Sequence, residues 1–145
     1  AKRMGKSVYA HAKTDNGTAL TLDGNGWSLK YNTIWDKLFG FGIWDEAFYQ
    51  AEIARYMQET NAYGIPLDSR KTYTKSDWIM WASAMAETKE GVEAFAKPLV
   101  KYLKEPPTRV AFSDWSDTVT VRYVHFIARS VQGGVFMPML KKMWE

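Results

Sequence analysis

The chain has 145 residues, of which 46% are hydrophobic and 24% are charged, a composition typical of one folded domain and not of a disordered segment. Its net charge of +3 comes from 19 basic and 16 acidic residues that are scattered along the sequence, so nucleic-acid binding is not indicated. Cysteine is absent, which excludes disulfides, thiolate catalysis and cysteine-based zinc sites, and no apolar run approaches the roughly 18 residues of a membrane span.

Apolar residues recur at helical spacing in six segments of the chain. Pro98 and Pro138 lie inside the last two segments and are expected to kink or interrupt them. The spacing predicts helices over residues 2–13, 28–39, 45–61, 76–87, 89–104 and 128–143.

Two stretches are predicted to lie outside helices. Residues 14–26 are rich in Gly, Asp and Asn, and residues 118–124 alternate β-branched residues in a pattern that suits a short strand or an extended loop. The predicted fold class is therefore all-α, with long polar loops and room for one short strand pair. We expect residues 1–145 to form a single helical domain, and the start at Ala1, inside a helix, suggests a piece of a longer protein.

Acidic, basic and hydroxyl side chains are concentrated in residues 63–78. Gly64 and Pro66 are expected to end the preceding helix. Thr74 and Asp77 have the spacing of a capping box, which predicts Thr74 as the N-cap of the next helix. The Ser-Asp-Trp triplet at residues 76–78 recurs at residues 113–115, and both copies are predicted to lie at helix ends, where loops commonly carry function.

Seven short motifs together resemble the C-terminal domain of the glutaminase A-like proteins, a family of secreted fungal glutaminases and gut bacterial proteins. The similarity runs from about residue 27 to the end of the chain. In chain order the motifs are WSLKYN (27–32), WDK (35–37), YGIPLDSR (63–70), YTKSDW (73–78), PTR (107–109), SDW (113–115) and ARSVQGGV (128–135).

This resemblance implies a fold, an activity and a location. It implies antiparallel helical hairpins that form part of an α/α toroid akin to the six-hairpin glycosidases. It also implies a parent amidohydrolase that cleaves the side-chain amide of L-glutamine and is secreted or periplasmic. The expected partners are a small-molecule substrate, glutamine or a sugar, and the remaining domains of the parent chain. The resemblance assigns no catalytic residue.

Amide hydrolysis requires an attacking group, a proton donor for the leaving ammonia and a stabiliser of the oxyanion. Each candidate for these roles also has a structural interpretation, as a helix cap, a turn residue or half of a local ion pair. The acid candidates are Asp68, Asp77, Asp114 and Asp117, and the hydroxyl candidates are Ser69 and Ser113. The substrate-binding candidates are Arg70, Lys75, Trp78, Trp115 and Arg129.

No metal or other cofactor is expected. The two histidines, His11 and His125, are far apart in the sequence, which does not favour a zinc site. We expect His11 to be exposed and His125 to be a packing residue. For Gly133 and Gly134 two interpretations stay open, which are a backbone approach to an anion and close packing of helices.

Two hypotheses follow. In the first, the loops around the two triplets line the cleft of a glutaminase. The residues expected to converge at one end of the bundle are Asp68, Arg70, Asp77, Trp78, Asp114 and Trp115. In the second, the domain is a catalytically silent module that completes the toroid, or a carbohydrate-binding or glycosidase-like domain. A glycosidase would need two acids about 5–10 Å apart across an open cleft. We expect the 145-residue chain alone to be inactive.

Overall fold

The computed structural model describes residues 1–107 and 110–144. Most of the PTR motif at residues 107–109 therefore lies outside the described residues. About half of the described residues are helical. The α-helices are α1 (Lys2–Ala12), α2 (Ile34–Phe39), α3 (Glu46–Gln58), α4 (Ser76–Ser83), α5 (Lys89–Lys104) and α6 (Met137–Trp144). Short 3-10 helices cover Tyr31–Thr33 and Ser130–Phe136.

The six predicted helices are all present, although four are shorter than expected by several residues. Helix α3 ends at Gln58. The α-helical part of the segment 28–39 begins only at Ile34, and α4 ends at Ser83. The last segment is a 3-10 helix up to Phe136, because the adjacent glycines at 133 and 134 weaken the α-helix there. Pro138 is the second residue of α6, where a missing N–H costs little.

Helix α5 coincides with its prediction but does not break at Pro98. Its N-cap Thr88 accepts a hydrogen bond from the Gly91 N–H at 3.1 Å, which stabilises the first turn. Its buried face carries Phe95, Leu99 and Tyr102. This packing keeps the helix continuous past the proline.

The described residues contain two antiparallel strand pairs, where the sequence left room for one. β1 (Lys13–Thr14) and β2 (Gly17–Thr18) form a hairpin, and β3 (Tyr73–Lys75) pairs with β4 (Trp115–Asp117). Residues 118–124 are a loop, which is the second of the two alternatives predicted for them. The chain turns there because the Asp117 carboxylate accepts hydrogen bonds from the Val119 and Thr120 N–H groups at 2.9 and 2.7 Å.

Helix α4 lies at the centre of the domain. It packs against α5, α6 and both 3-10 helices. Its Ile79 is fully buried in the main hydrophobic core, together with Ile34, Tyr56 and Phe95, and each such side chain contributes roughly 1.5–3 kcal/mol. Because β3 leads directly into α4, this core also fixes the polar residues at the β3–α4 junction.

Candidate functional site

The two Ser-Asp-Trp triplets meet at the β3–α4 junction. The strand register places Lys75 opposite Trp115 and Thr74 opposite Ser116. The Ser76 N–H also donates a hydrogen bond to the Asp114 carbonyl at 2.8 Å. Segments that are 37 residues apart in the sequence (from 76 to 113) are thus joined side by side. We call Lys75, Asp77, Asp114, Trp115 and Arg129 the SDW cluster.

Asp114 is the centre of this cluster and is only 1% exposed. Its Oδ2 accepts a hydrogen bond from Lys75 Nζ at 3.0 Å and lies 3.6 Å from Arg129 Nη1. The Lys75 ammonium also lies 4.6 Å from the ring centroid of Trp115, and the Arg129 guanidinium lies 4.6 Å from that of Phe126. Two cations are therefore held by one carboxylate and two aromatic faces.

Asp77 is also buried, but it has no ion pair within the described residues. Burial raises the pKa of its carboxyl group, and the negative charge of Asp114 adds to this effect. The capping-box prediction is wrong. Lys75 is the N-cap of α4 and makes no side-chain cap, because Thr74 belongs to β3 and its backbone is extended there.

Buried polar atoms without a partner are concentrated in this region. Seven such side-chain atoms occur in the described residues, and six of them lie at or next to the SDW cluster. Folded proteins satisfy the large majority of such atoms, so each exception calls for an explanation. The six atoms are Thr74 Oγ1, Ser76 Oγ, Asp77 Oδ1, Trp81 Nε1, Asp114 Oδ1 and Trp115 Nε1.

The loop that covers the cluster is strained. Val121, His125 and Ala128 have positive φ angles of 59°, 53° and 52°, which non-glycine residues adopt rarely and β-branched residues hardly ever. The loop is tied to the cluster by the Val124 N–H, which donates to the Trp115 carbonyl at 2.8 Å. Such strain costs about 1–3 kcal/mol per residue and is typical of functional sites.

Asp68 and Arg70 form a separate ion pair. The Arg70 Nε and Nη2 atoms donate to the two Asp68 oxygens at 3.0 and 2.7 Å, and these bonds hold the pKa of Asp68 below its usual value. The Arg70 side chain is 70% exposed. Neither residue has a hydrogen bond or ion pair to the SDW cluster within the described structure. The expected convergence therefore holds for Asp77, Asp114 and Trp115 and not for Asp68 and Arg70.

The remaining candidates have structural partners. Asp117 accepts a hydrogen bond from Thr72 Oγ1 at 2.6 Å and caps the turn after β4. Ser69 Oγ accepts from the Trp27 N–H at 3.2 Å, and Ser113 Oγ donates to the Trp115 carbonyl at 2.7 Å. Trp78 stacks on Tyr31 with ring centroids 4.1 Å apart.

His11 is exposed, as expected. The packing role expected for His125 is wrong, because this residue is exposed at the edge of the strained loop, with its ring centroid 5.4 Å from that of Trp115.

Sequence reasoning missed Phe126 and Trp81 as members of this region. Phe126 supplies a ring to both cations, at 5.3 Å from Lys75 and 4.6 Å from Arg129, and no local pattern marks it. Trp81 lies against Gly134, where an added Cβ would be 2.6 Å from Trp81 Nε1 and 2.8 Å from Asp77 Cβ. Of the two interpretations of the glycine pair, Gly134 therefore fits close packing.

Within residues 1–107 and 110–144, no group of three or more His, Asp or Glu side chains is arranged to hold a metal ion. None of the helices in the same residues has the length and apolar character needed to cross a bilayer.

Comparison with known proteins identifies the family. A family model described as the glutaminase A six helical-hairpin domain matches residues 1–139. Glutaminase A of Aspergillus oryzae is 36% identical over 132 residues, which cover 88% of this chain and 19% of the fungal protein. The chain thus spans less than a fifth of that relative, and no solved structure matches it. The chain belongs to the glutaminase A six helical-hairpin family, as the seven motifs predicted.

Proposed function

We propose that this chain is part of an amidohydrolase that cleaves the side-chain amide of L-glutamine, and that the SDW cluster forms part of the wall of its cleft. Family membership and the name of the fungal relative support the activity. The proposed position of the cleft rests on one observation, the concentration of unpartnered buried polar atoms around Asp77 and Asp114.

The magnitude of this cost argues for function. A buried polar atom without a partner costs about 1–3 kcal/mol, and six such atoms lie at or next to the SDW cluster. Three residues with positive φ in the covering loop add to this cost. A whole domain is stable by only about 5–15 kcal/mol. A cost of this size in one region is expected where the polar groups serve a reaction.

The two acids have different surroundings, which suits acid–base chemistry. Asp114 is paired with Lys75 and Arg129, whereas Asp77 has no ion pair among the described residues, and burial raises the pKa of its carboxyl group. A neutral carboxyl group can donate a proton to leaving ammonia, and an ionised one can orient cations or accept a proton. Two acids in such different environments take the acid and base roles in known enzymes.

The other wall of the cleft would come from the rest of the parent chain. Six helical hairpins contain twelve helices, whereas the described residues contain six α-helices. The toroid, its remaining hairpins and the export of the parent protein are part of this proposal. The 145-residue chain alone is then expected to hydrolyse no glutamine, because displacement of catalytic groups by even about 1 Å can cost a hundredfold in rate.

A carbohydrate-active domain is the second candidate. The stacked pair of Tyr31 and Trp78 and the adjoining rings of Trp81 and Trp35 favour it, because aromatic faces suit sugar rings. The acids do not separate the two candidates. Asp77 and Asp114 are 4% and 1% exposed, so either activity needs the remaining hairpins of the parent protein to complete a cleft around them.

The test uses the full-length parent protein and measures ammonia release from L-glutamine. We expect Asp77→Asn and Asp114→Asn each to lower kcat/KM about a hundredfold, which corresponds to about 2.7 kcal/mol of barrier. Asp36→Asn is the matched control, because Asp36 is an equally buried acid that binds only the backbone and Tyr49. The control should lower the melting temperature and leave the specific activity of the folded protein unchanged.

Two outcomes would contradict the proposal. Normal glutaminase activity of folded Asp114→Asn protein would assign the domain a silent role in completing the toroid. Hydrolysis of 4-nitrophenyl glycosides by the wild-type protein, with no release of ammonia from glutamine, would favour the carbohydrate-active candidate.

A further inference from the structure

Arg129 has unused hydrogen-bonding capacity. Its guanidinium lies on the face of Phe126, and its side chain is 38% exposed. Its contact to Asp114 at 3.6 Å is too long for a hydrogen bond, and none of its five N–H donors makes one to the described residues. Arg70, in contrast, donates from Nε and Nη2 to the two Asp68 oxygens.

Arg129 is the accessible cation of the SDW cluster. Lys75 and Arg129 both lie at the Asp114 carboxylate. The Lys75 side chain is 13% exposed and is already hydrogen-bonded to Asp114, whereas the Arg129 side chain is 38% exposed. A ligand can therefore reach the positive charge of Arg129 more readily than that of Lys75.

We propose that Arg129 binds the α-carboxylate of an amino-acid substrate. Asp114, which also binds Lys75, acts as a positioning residue for Arg129. This inference rests on the proposed function for the identity of the substrate. An arginine fork matches a carboxylate with two parallel hydrogen bonds. The guanidinium lies 4.6 Å from the ring centroid of Phe126, and Asp114 Oδ2 contacts both cations, at 3.0 Å from Lys75 Nζ and 3.6 Å from Arg129 Nη1.

This arrangement separates binding from chemistry. A group that contacts only the α-carboxylate, which is not the reacting amide, affects substrate affinity more than turnover. Replacement of Arg129 should therefore leave the hydrolysis of L-glutamine α-amide, which lacks that carboxylate, unchanged. If Arg129 had only a structural role, its replacement would affect both substrates equally.

The experiment measures kcat and KM of the full-length parent protein for L-glutamine and for L-glutamine α-amide. We expect Arg129→Ala to raise KM for L-glutamine by roughly 10–100-fold, the usual range for a charge-assisted hydrogen-bonded pair. Its KM for the α-amide should change by no more than about twofold, and Arg129→Lys should restore part of the loss. Arg122→Ala is the matched control, because Arg122 is an exposed arginine of the same loop.

A binding measurement keeps this test separate from the proposed function. In equilibrium dialysis with radiolabelled L-glutamate, wild-type and Arg122→Ala protein should bind the probe, and Arg129→Ala protein should not. If the protein binds L-glutamate through Arg129 but releases no ammonia from glutamine, the proposed activity fails and the carboxylate site stands. Equal effects of Arg129→Ala on both substrates, or L-glutamate binding that does not depend on Arg129, would overturn the inference.

Discussion

The adjacent glycines 133 and 134 provide a matched pair of substitutions at the edge of the SDW cluster. A Cβ atom on Gly134 would lie 2.6 Å from Trp81 Nε1 and 2.8 Å from Asp77 Cβ, whereas one on Gly133 would meet nothing within 4 Å. Neither glycine has a positive φ, so alanine is compatible with both backbones. The two variants therefore differ in packing alone.

Gly134→Ala should destabilise the domain by about 1–3 kcal/mol, the usual cost of overpacking a close contact. The contact is with the indole of Trp81 and with the first carbon of the Asp77 side chain, neither of which is the flexible end of a long chain. For a domain of this size the loss corresponds to a fall in melting temperature of roughly 3–10 °C. Gly133→Ala should be neutral or should stabilise by about 0.4–1 kcal/mol, because it reduces the entropy of the unfolded chain.

Urea denaturation followed by tryptophan fluorescence measures both free energies of unfolding. Gly134→Ala protein with wild-type stability would refute the close contact between the 3-10 helix Ser130–Phe136 and α4. An equal loss in both variants would show that the glycines are required by the backbone and not by packing.

Two further predictions concern buried acids. Asp36→Ala should cost about 3–5 kcal/mol in urea denaturation, because it removes the acceptor of the Ile43 and Trp44 N–H groups and of the Tyr49 hydroxyl. Asp45→Ala, which removes a single N-cap bond to the Phe48 N–H, should cost only about 1 kcal/mol. Equal losses would contradict the special role of Asp36. Burial raises the pKa of Asp77 above 3.8, so the folded state binds this proton more tightly than the unfolded state. The stability that this bound proton adds is complete below pH 3.8. It is lost as the pH rises through the pKa of Asp77 in the folded state. Wild-type protein should therefore lose stability relative to Asp77→Asn over that range, and a constant difference between pH 3.5 and 7 would contradict the raised pKa.

Local patterns in the sequence predicted the helices well. The stripe of Phe95, Leu99 and Leu103 gave the limits of α5, because a helical period depends only on residues a few positions apart. The motifs also gave the family, since they preserve short runs of residues in order. The same local logic failed at Thr74, where cap spacing predicted a helix start and a strand forms instead.

The composition of the site was decided by tertiary structure. The two Ser-Asp-Trp triplets were visible in the sequence, but only the pairing of β3 with β4 brings Lys75 beside Trp115 and Asp114. Arg129 and Phe126 join them through a loop whose strained backbone has no sequence signal. Asp68 and Arg70, which the sequence grouped with the triplets, bind each other because they are only two residues apart. Strand pairing and loop packing depend on contacts between distant segments, and these form only when the whole core is assembled.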